Sequence, residues 1–181
     1  MAVVSIKNKL RRGNLLVGND PYIPTDFESI ATVTVGSGGA ASITFSNIPQ
    51  TYQHLQIRSL HKGQSYGEIT LNSGSWARRH YLYGDGSSAS AGSDTANAMF
   101  ASSSTYFYAT ICDLFDYTST NKNRVYRVLN GGDNNGSGVI HLFSGLDTTT
   151  TATTSITITG TGGNNFQQYS HFALYGIKAA S

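Results

Sequence analysis

From Phe27 onward, apolar and polar residues alternate with a period of two, the period of a strand with one buried face. Ala31, Val33 and Val35 alternate with Thr32 and Thr34. Gly36-Ser37-Gly38-Gly39 turns the chain, and Ala41, Ile43 and Phe45 then alternate with Ser42 and Thr44. This predicts a hairpin, closed by Pro49. The pattern resumes at Leu55-Gln56-Ile57-Arg58. It predicts further strands over Glu68–Leu71, Trp76–Tyr83, Tyr106–Phe115, Arg124–Leu129, Val139–Phe143, Ser155–Thr159 and Ser170–Ile177. The intervening stretches Gly84–Asp94, Asn130–Gly138, Asp147–Thr154 and Gly160–Asn165 are rich in Gly, Ser, Thr and Asn and read as loops.

About ten short, regularly spaced strands without a convincing helix predict an all-β, antiparallel β-sandwich or barrel; an eight-stranded jelly roll is the expected topology. Strand–helix alternation is missing, which disfavours a parallel α/β sheet. No repeat of roughly 20–50 residues points to a propeller or solenoid. Composition agrees: Ser, Thr, Gly and Asn make up 75 of the 181 residues, and 11% are aromatic. That mixture favours strands and turns over helices. A chain of this length can bury roughly 70% of its unfolded surface, so a core is affordable without metal or disulfide. Cys112 is the single cysteine, which excludes an internal disulfide and a cysteine-built zinc site.

Charge divides the chain. The first nineteen residues hold Lys7, Lys9, Arg11 and Arg12 and no acid, whereas the remainder carries eight basic and ten acidic residues. Gly18-Asn19-Asp20-Pro21 and Pro24 punctuate the boundary, so residues 1–24 read as an arm and 25–181 as a β-sandwich domain. Such an arm is a solvated tail, a nucleic-acid contact or a segment that docks on a partner protein; docking is the expectation. Lys7, Lys9, Arg11 and Arg12 would meet an acidic surface, with Leu10, Leu15, Leu16 and Val17 as apolar anchors. The start of the chain has no apolar stretch of signal-peptide length, and no apolar run approaches the roughly 20 residues of a membrane span. A membrane partner is not expected.

The chemistry-bearing residues form no catalytic signature. Gly63-Gln64-Ser65-Tyr66-Gly67 matches the Gly-x-Ser-x-Gly spacing, but a chain with no convincing helix lacks the strand-to-helix turn that a nucleophile elbow needs. Asp113 and Asp116 are a candidate carboxylate pair for glycosidase work, but turn-capping is the expected role. The five histidines lack metal-ligand spacing, and the Asp85 to Asp94 stretch does not match a calcium loop. An ion on a symmetry axis is the one metal arrangement such a sequence would hide. The expectation is a chain that is not an enzyme and uses no cofactor. Trp76, Tyr81, Tyr83, Tyr106 and Tyr108, with Tyr66, form an aromatic-rich central stretch that contains Arg78, Arg79 and His80. Aromatic faces beside planar donors suit glycan binding; packing in the core or between subunits is the alternative.

Several blocks carry a resemblance. They are Gly13–Asn19, Phe27–Val33, Ser42–Arg58 (Ser-Ile-Thr-Phe-Ser-Asn-Ile-Pro-Gln-Thr-Tyr-Gln-His-Leu-Gln-Ile-Arg), His80–Ser88 and Ser170–Ile177. Together they resemble small virion structural proteins of tailed bacteriophages. The resemblance implies a jelly-roll-type module on the virion exterior, made in the host cytoplasm: a capsid decoration protein, a head fibre or a tail-fibre component. It further implies a homotrimer attached to capsid or tail proteins by its N-terminal arm, and it offers no catalytic residues. A tail-fibre or receptor-binding module that recognises host surface glycan is the alternative.

Overall fold

The computed structural model describes residues 26–63, 66–72, 74, 78–163 and 165–179. The arm residues Lys7, Lys9, Leu10, Arg11, Arg12, Leu15, Leu16 and Val17 lie outside the described residues, as does Trp76. Twelve strands follow one another: β1 (Phe27–Thr34), β2 (Ser42–Phe45), β3 (His54–His61), β4 (Gly67–Leu71), β5 (Arg78–Gly84) and β6 (Ala89–Asp94) come first. Then come β7 (Ala98–Phe100), β8 (Tyr108–Phe115), β9 (Arg124–Asp133), β10 (Gly138–Asp147), β11 (Ile156–Gly160) and β12 (His171–Ile177). They form an eight-stranded sheet, ordered β1-β12-β3-β8-β9-β10-β5-β6, and a four-stranded sheet, ordered β2-β11-β4-β7. All pairings are antiparallel.

The order explains the architecture. The strands β1, β12, β3 and β8 face β2, β11, β4 and β7, and the chain passes from one sheet to the other between β1, β2, β3 and β4 and again on its return. That wrapping is a jelly roll. Two hairpins, β5–β6 and β9–β10, are inserted into it, and both join the β8 edge of the large sheet. The large sheet therefore extends past the small one by several strands.

Period-two burial fills the space between the sheets. Leu55, Ile57, Cys112, Leu114, Tyr126, Val128, Phe143, Phe172 and Leu174 point inward from the large sheet, against Ile43, Phe45, Ile69, Leu71, Phe100, Ile156 and Ile158 from the small one. Three expectations are corrected. Residues 31–45 do not form a hairpin: β1 pairs with β12 and β2 with β11. Gly36–Gly39 instead carries the chain between layers. Gly39 has φ +71°, and a Cβ there would sit 3.0 Å from the Phe166 carbonyl oxygen. Alternation reports which face of a strand is buried and is silent about its partner. The stretch Gly84–Asp94 is mostly the edge strand β6, whose small and polar side chains give no apolar period. Asn130–Gly138 is mostly strand as well. Only Asn134–Ser137 turns, with Asn135 and Gly136 at positive φ.

Asp147–Thr154 is ordered by a buried charge. Arg124 donates to Asp147, to the Thr149 hydroxyl and to the Thr151 carbonyl, and to Thr153 Oγ1 at 2.7 Å. The run of threonines wraps a guanidinium that the core would otherwise leave unpaired.

Candidate functional site

Both surfaces that stand out chemically lie on the inserted hairpins. The first is the overhanging inner face. Beyond the edge of the small sheet, β5 and β10 present Arg79, Tyr81, Tyr83, His141 and Phe143 to a cleft of about 660 Å³. Tyr108 of β8, Tyr66 and the Ala101–Ser102 segment close its other sides. Strand periodicity puts alternate residues of β5 on one face, so Arg79, Tyr81 and Tyr83 converge while His80 and Leu82 point away.

The rings are seated by glycines. Tyr81 is the direct cross-strand partner of Gly92, and a Cβ on Gly92 would lie 2.5 Å from the Tyr81 hydroxyl. Tyr108 lies in the same way over Gly132, where a Cβ would overlap its ring. The Ala101 rim is held by Asn130, whose Oδ1 accepts from the Ala101 N–H at 2.8 Å and whose Nδ2 donates to the Ala101 carbonyl at 3.2 Å. His61 Nε2 donates to the same carbonyl at 3.1 Å.

The polar floor is a neutralised pair. Arg79 Nε and Nη2 donate to the two Asp94 carboxylate oxygens at 2.6 and 2.9 Å, and Nη1 donates to the Asn97 carbonyl at 3.0 Å. The guanidinium lies 5.4 Å from the Phe143 ring centre and 6.0 Å from that of Tyr81. Its hydrogen bond holds the Asp94 carboxyl below the usual carboxylate range. The Arg79 side chain is buried, whereas that of Asp94 is 42% exposed and offers its outer lone pairs to the cleft. His141, 8% exposed, stacks on Phe143 at 5.3 Å. Burial, assisted by the Arg79 charge, lowers its pKa, so the ring is neutral at pH 7. Its Nδ1 is buried without a hydrogen-bond partner.

The structure thus brings together Tyr66, Tyr81, Tyr83 and Tyr108 from the aromatic stretch. Tyr106 is exposed on the preceding loop and does not line the cleft. Asp94, Ser102 and His141 are residues that sequence reasoning missed: the pairing of β5 with β6 and β10 brings Asp94 and His141 to the cleft, and Ser102 arrives with the Ala101 segment that Asn130 holds. Asp113 accepts from Gln56 at 2.7 Å; Asp116 takes positive φ in a turn and pairs with Lys122. Among the described residues no three His, Cys, Asp or Glu side chains come together as a metal site.

The second surface is the outer face of the same strands. Ile111, Leu129, Leu142, Leu82 and Ala91 are successive cross-strand partners from β8 to β6. A second row runs parallel to them: Leu60, Ala109, Gly131, Ile140, Gly84 and Ala89. Beside them, Gln56, Asp113, Arg127, Ser144, His80 and Ser93 form a polar row. Leu82 is 56% and Ile140 60% exposed. The glycines leave hollows next to these knobs, with grooves of about 570 and 560 Å³ on either side of Ile140. The six large apolar residues of the two rows are 39–60% exposed and form one contiguous apolar patch.

Comparison with family models, with curated proteins and with solved structures gives no match.

Proposed function

We propose that the chain is a non-enzymatic structural protein of a tailed-phage virion, a capsid decoration or head-fibre module that assembles through the outer face of its large sheet. The observation that carries the assembly half is the pair of apolar rows centred on Leu129, Leu142 and Leu82. Contiguous exposed apolar patches of this kind mark interaction sites on soluble proteins. Knobs and hollows alternate on one surface, and the bordering polar row carries both Asp113 and Arg127. Both features suit further copies of the chain, because the knobs of one protomer can seat in the hollows of the next, a heterologous contact that can close into a ring. A homotrimer is the form that the phage resemblance implies.

The particle half rests on the sequence blocks quoted above and on the sandwich fold. In this reading the arm, residues 1–24, fixes the module to the exterior of the head; Lys7, Lys9, Arg11 and Arg12 meet an acidic capsid surface. A module repeated over a shell gains by avidity what a single contact lacks. Nucleic acid and membrane are not partners in this account, and no cofactor is required.

Immunogold electron microscopy of purified virions, with antibody raised against the chain, tests the assignment. Gold over the head is the expected result. Gold at the tail would replace the decoration role by a tail-fibre role, and virions that lack the chain by both labelling and mass spectrometry would refute it.

A further inference from the structure

We propose that the cleft on the inner face of β5 and β10 is a binding site for a neutral saccharide. This goes beyond the assembly role and does not depend on it, since the cleft and the apolar rows lie on opposite faces of the sheet.

Four features select this ligand class. The walls are aromatic: Tyr66, Tyr81, Tyr83 and Tyr108 border the space, and ring faces pack well against the C–H face of a pyranose. The floor is polar but carries no net charge. Arg79 is the only cation among the described lining residues, and Asp94 and the Asn97 carbonyl engage its donors. A phosphate, sulfate or carboxylate would therefore find no free positive partner and would face the Asp94 carboxylate. Vicinal hydroxyls suit that carboxylate, because each can donate to one of its oxygens.

The third feature is His141. The residue is 8% exposed, it lines the cleft, and its buried Nδ1 has no partner. A hydroxyl both donates and accepts, so it satisfies this nitrogen in either tautomer. A buried polar atom left unmatched in the free protein is matched when such a ligand arrives. Lastly, about 660 Å³ lies within the range of sites that take small molecules. The cleft is also built to hold its shape. Asn130 grips both backbone groups of Ala101, and Gly92 and Gly132 seat two of the rings.

The test is saturation-transfer-difference NMR of the full chain. The probes are neutral hexose and N-acetylhexosamine di- and trisaccharides, run beside their sialylated and sulfated counterparts. At least one neutral sugar is expected to bind with a dissociation constant on the order of 1 mM. Tyr66→Ala and Tyr83→Ala, both at partly exposed rings, should weaken that binding about tenfold or more while leaving the thermal transition close to that of the parent. Asp94→Asn should weaken it further, but it also loosens Arg79, so the tyrosine variants decide. Three results would overturn the proposal: no neutral sugar giving a signal at about ten times the expected constant, binding restricted to the anionic sugars, or binding indifferent to both tyrosine substitutions.

Discussion

Replacing Arg124 with Met should be among the most damaging single changes in the sandwich. The Arg124 side chain is 2% and that of Asp147 6% exposed, so neither charge has water to fall back on. The guanidinium donates to Asp147, Thr149, Thr151 and Thr153. Met fills much of the same volume but donates nothing. Asp147 would keep only the Thr149 N–H at 2.9 Å and the Thr149 hydroxyl at 3.0 Å, which leaves most of a carboxylate charge unbalanced in the interior. Removing one partner of a buried pair costs about 3–5 kcal/mol. That is a large share of the ~5–15 kcal/mol that stabilises an ordinary domain. For a domain of this size, each kcal/mol moves the midpoint by about 2–4 °C, so a fall of roughly 6–20 °C is expected. Calorimetry on the parent, Arg124→Met, Asp147→Leu and the double variant would measure it. The double variant removes both charges, and it should be less destabilised than the two single losses together. A loss under about 1 kcal/mol in Arg124→Met, or full additivity in the double variant, would refute the view that this pair organises residues 147–154.

Other consequences are checked more simply. The His61 imidazole is buried against Phe100, Phe166 and Phe172, and burial outweighs its hydrogen bond to Ala101, so its pKa falls from 6.5 to about 4. The unfolded chain therefore takes up a proton near pH 6.5 that the folded chain refuses until about pH 4. Stability should be full above pH 6.5 and decline as pH falls through this window, by on the order of 3 kcal/mol from this group. His141 shifts in the same direction and adds to the trend. Urea titrations at several pH values would read it, and a flat profile would contradict the placement of His61. Cys112 is buried and its thiol pKa is pushed up, so a disulfide reagent should label it only after denaturation. A Cβ at Gly145 would overlap the ring of the wholly buried Tyr126, so Gly145→Ala should cost about 1–3 kcal/mol by chemical denaturation. Asn130→Ala leaves the Ala101 N–H without its partner and should weaken saccharide binding more than Tm alone would suggest.

How far the sequence carried can be judged residue by residue. Period two was enough for the class: the Ser155–Thr159 alternation, the cleanest in the chain, lies within one residue of β11, and the Tyr106–Phe115 and Ser170–Ile177 patterns fall within two residues of β8 and β12. Pairing was another matter. The apolar alternation of residues 31–45 is equally compatible with a hairpin and with two strands in facing sheets; what separates them is the Gly39 crossing against Phe166, a contact 127 residues away in sequence. The cleft was half legible. Tyr81, Tyr83 and Tyr108 could be singled out by type, but Asp94, His141 and Ser102 reach it only through strand pairings that no local pattern encodes. The outer apolar rows were harder still. Leu82, Leu142 and Ile140 fall in predicted strands, and nothing in the alternation tells a buried face from an exposed apolar one. Tyr106 shows the converse, an aromatic residue that sequence proximity groups with the site and the loop path leaves outside it.

The central claim is that the apolar rows on the outer sheet face join copies of this chain. Light scattering coupled to size-exclusion chromatography of the full chain, at micromolar concentration, tests it most directly. The account predicts a discrete species near 58 kDa, about three times the 19.3 kDa chain, that collapses to single chains when Leu82→Asp and Leu142→Asp are combined. A parent chain that elutes at about 19 kDa throughout, or an oligomer that survives both charges, would contradict it.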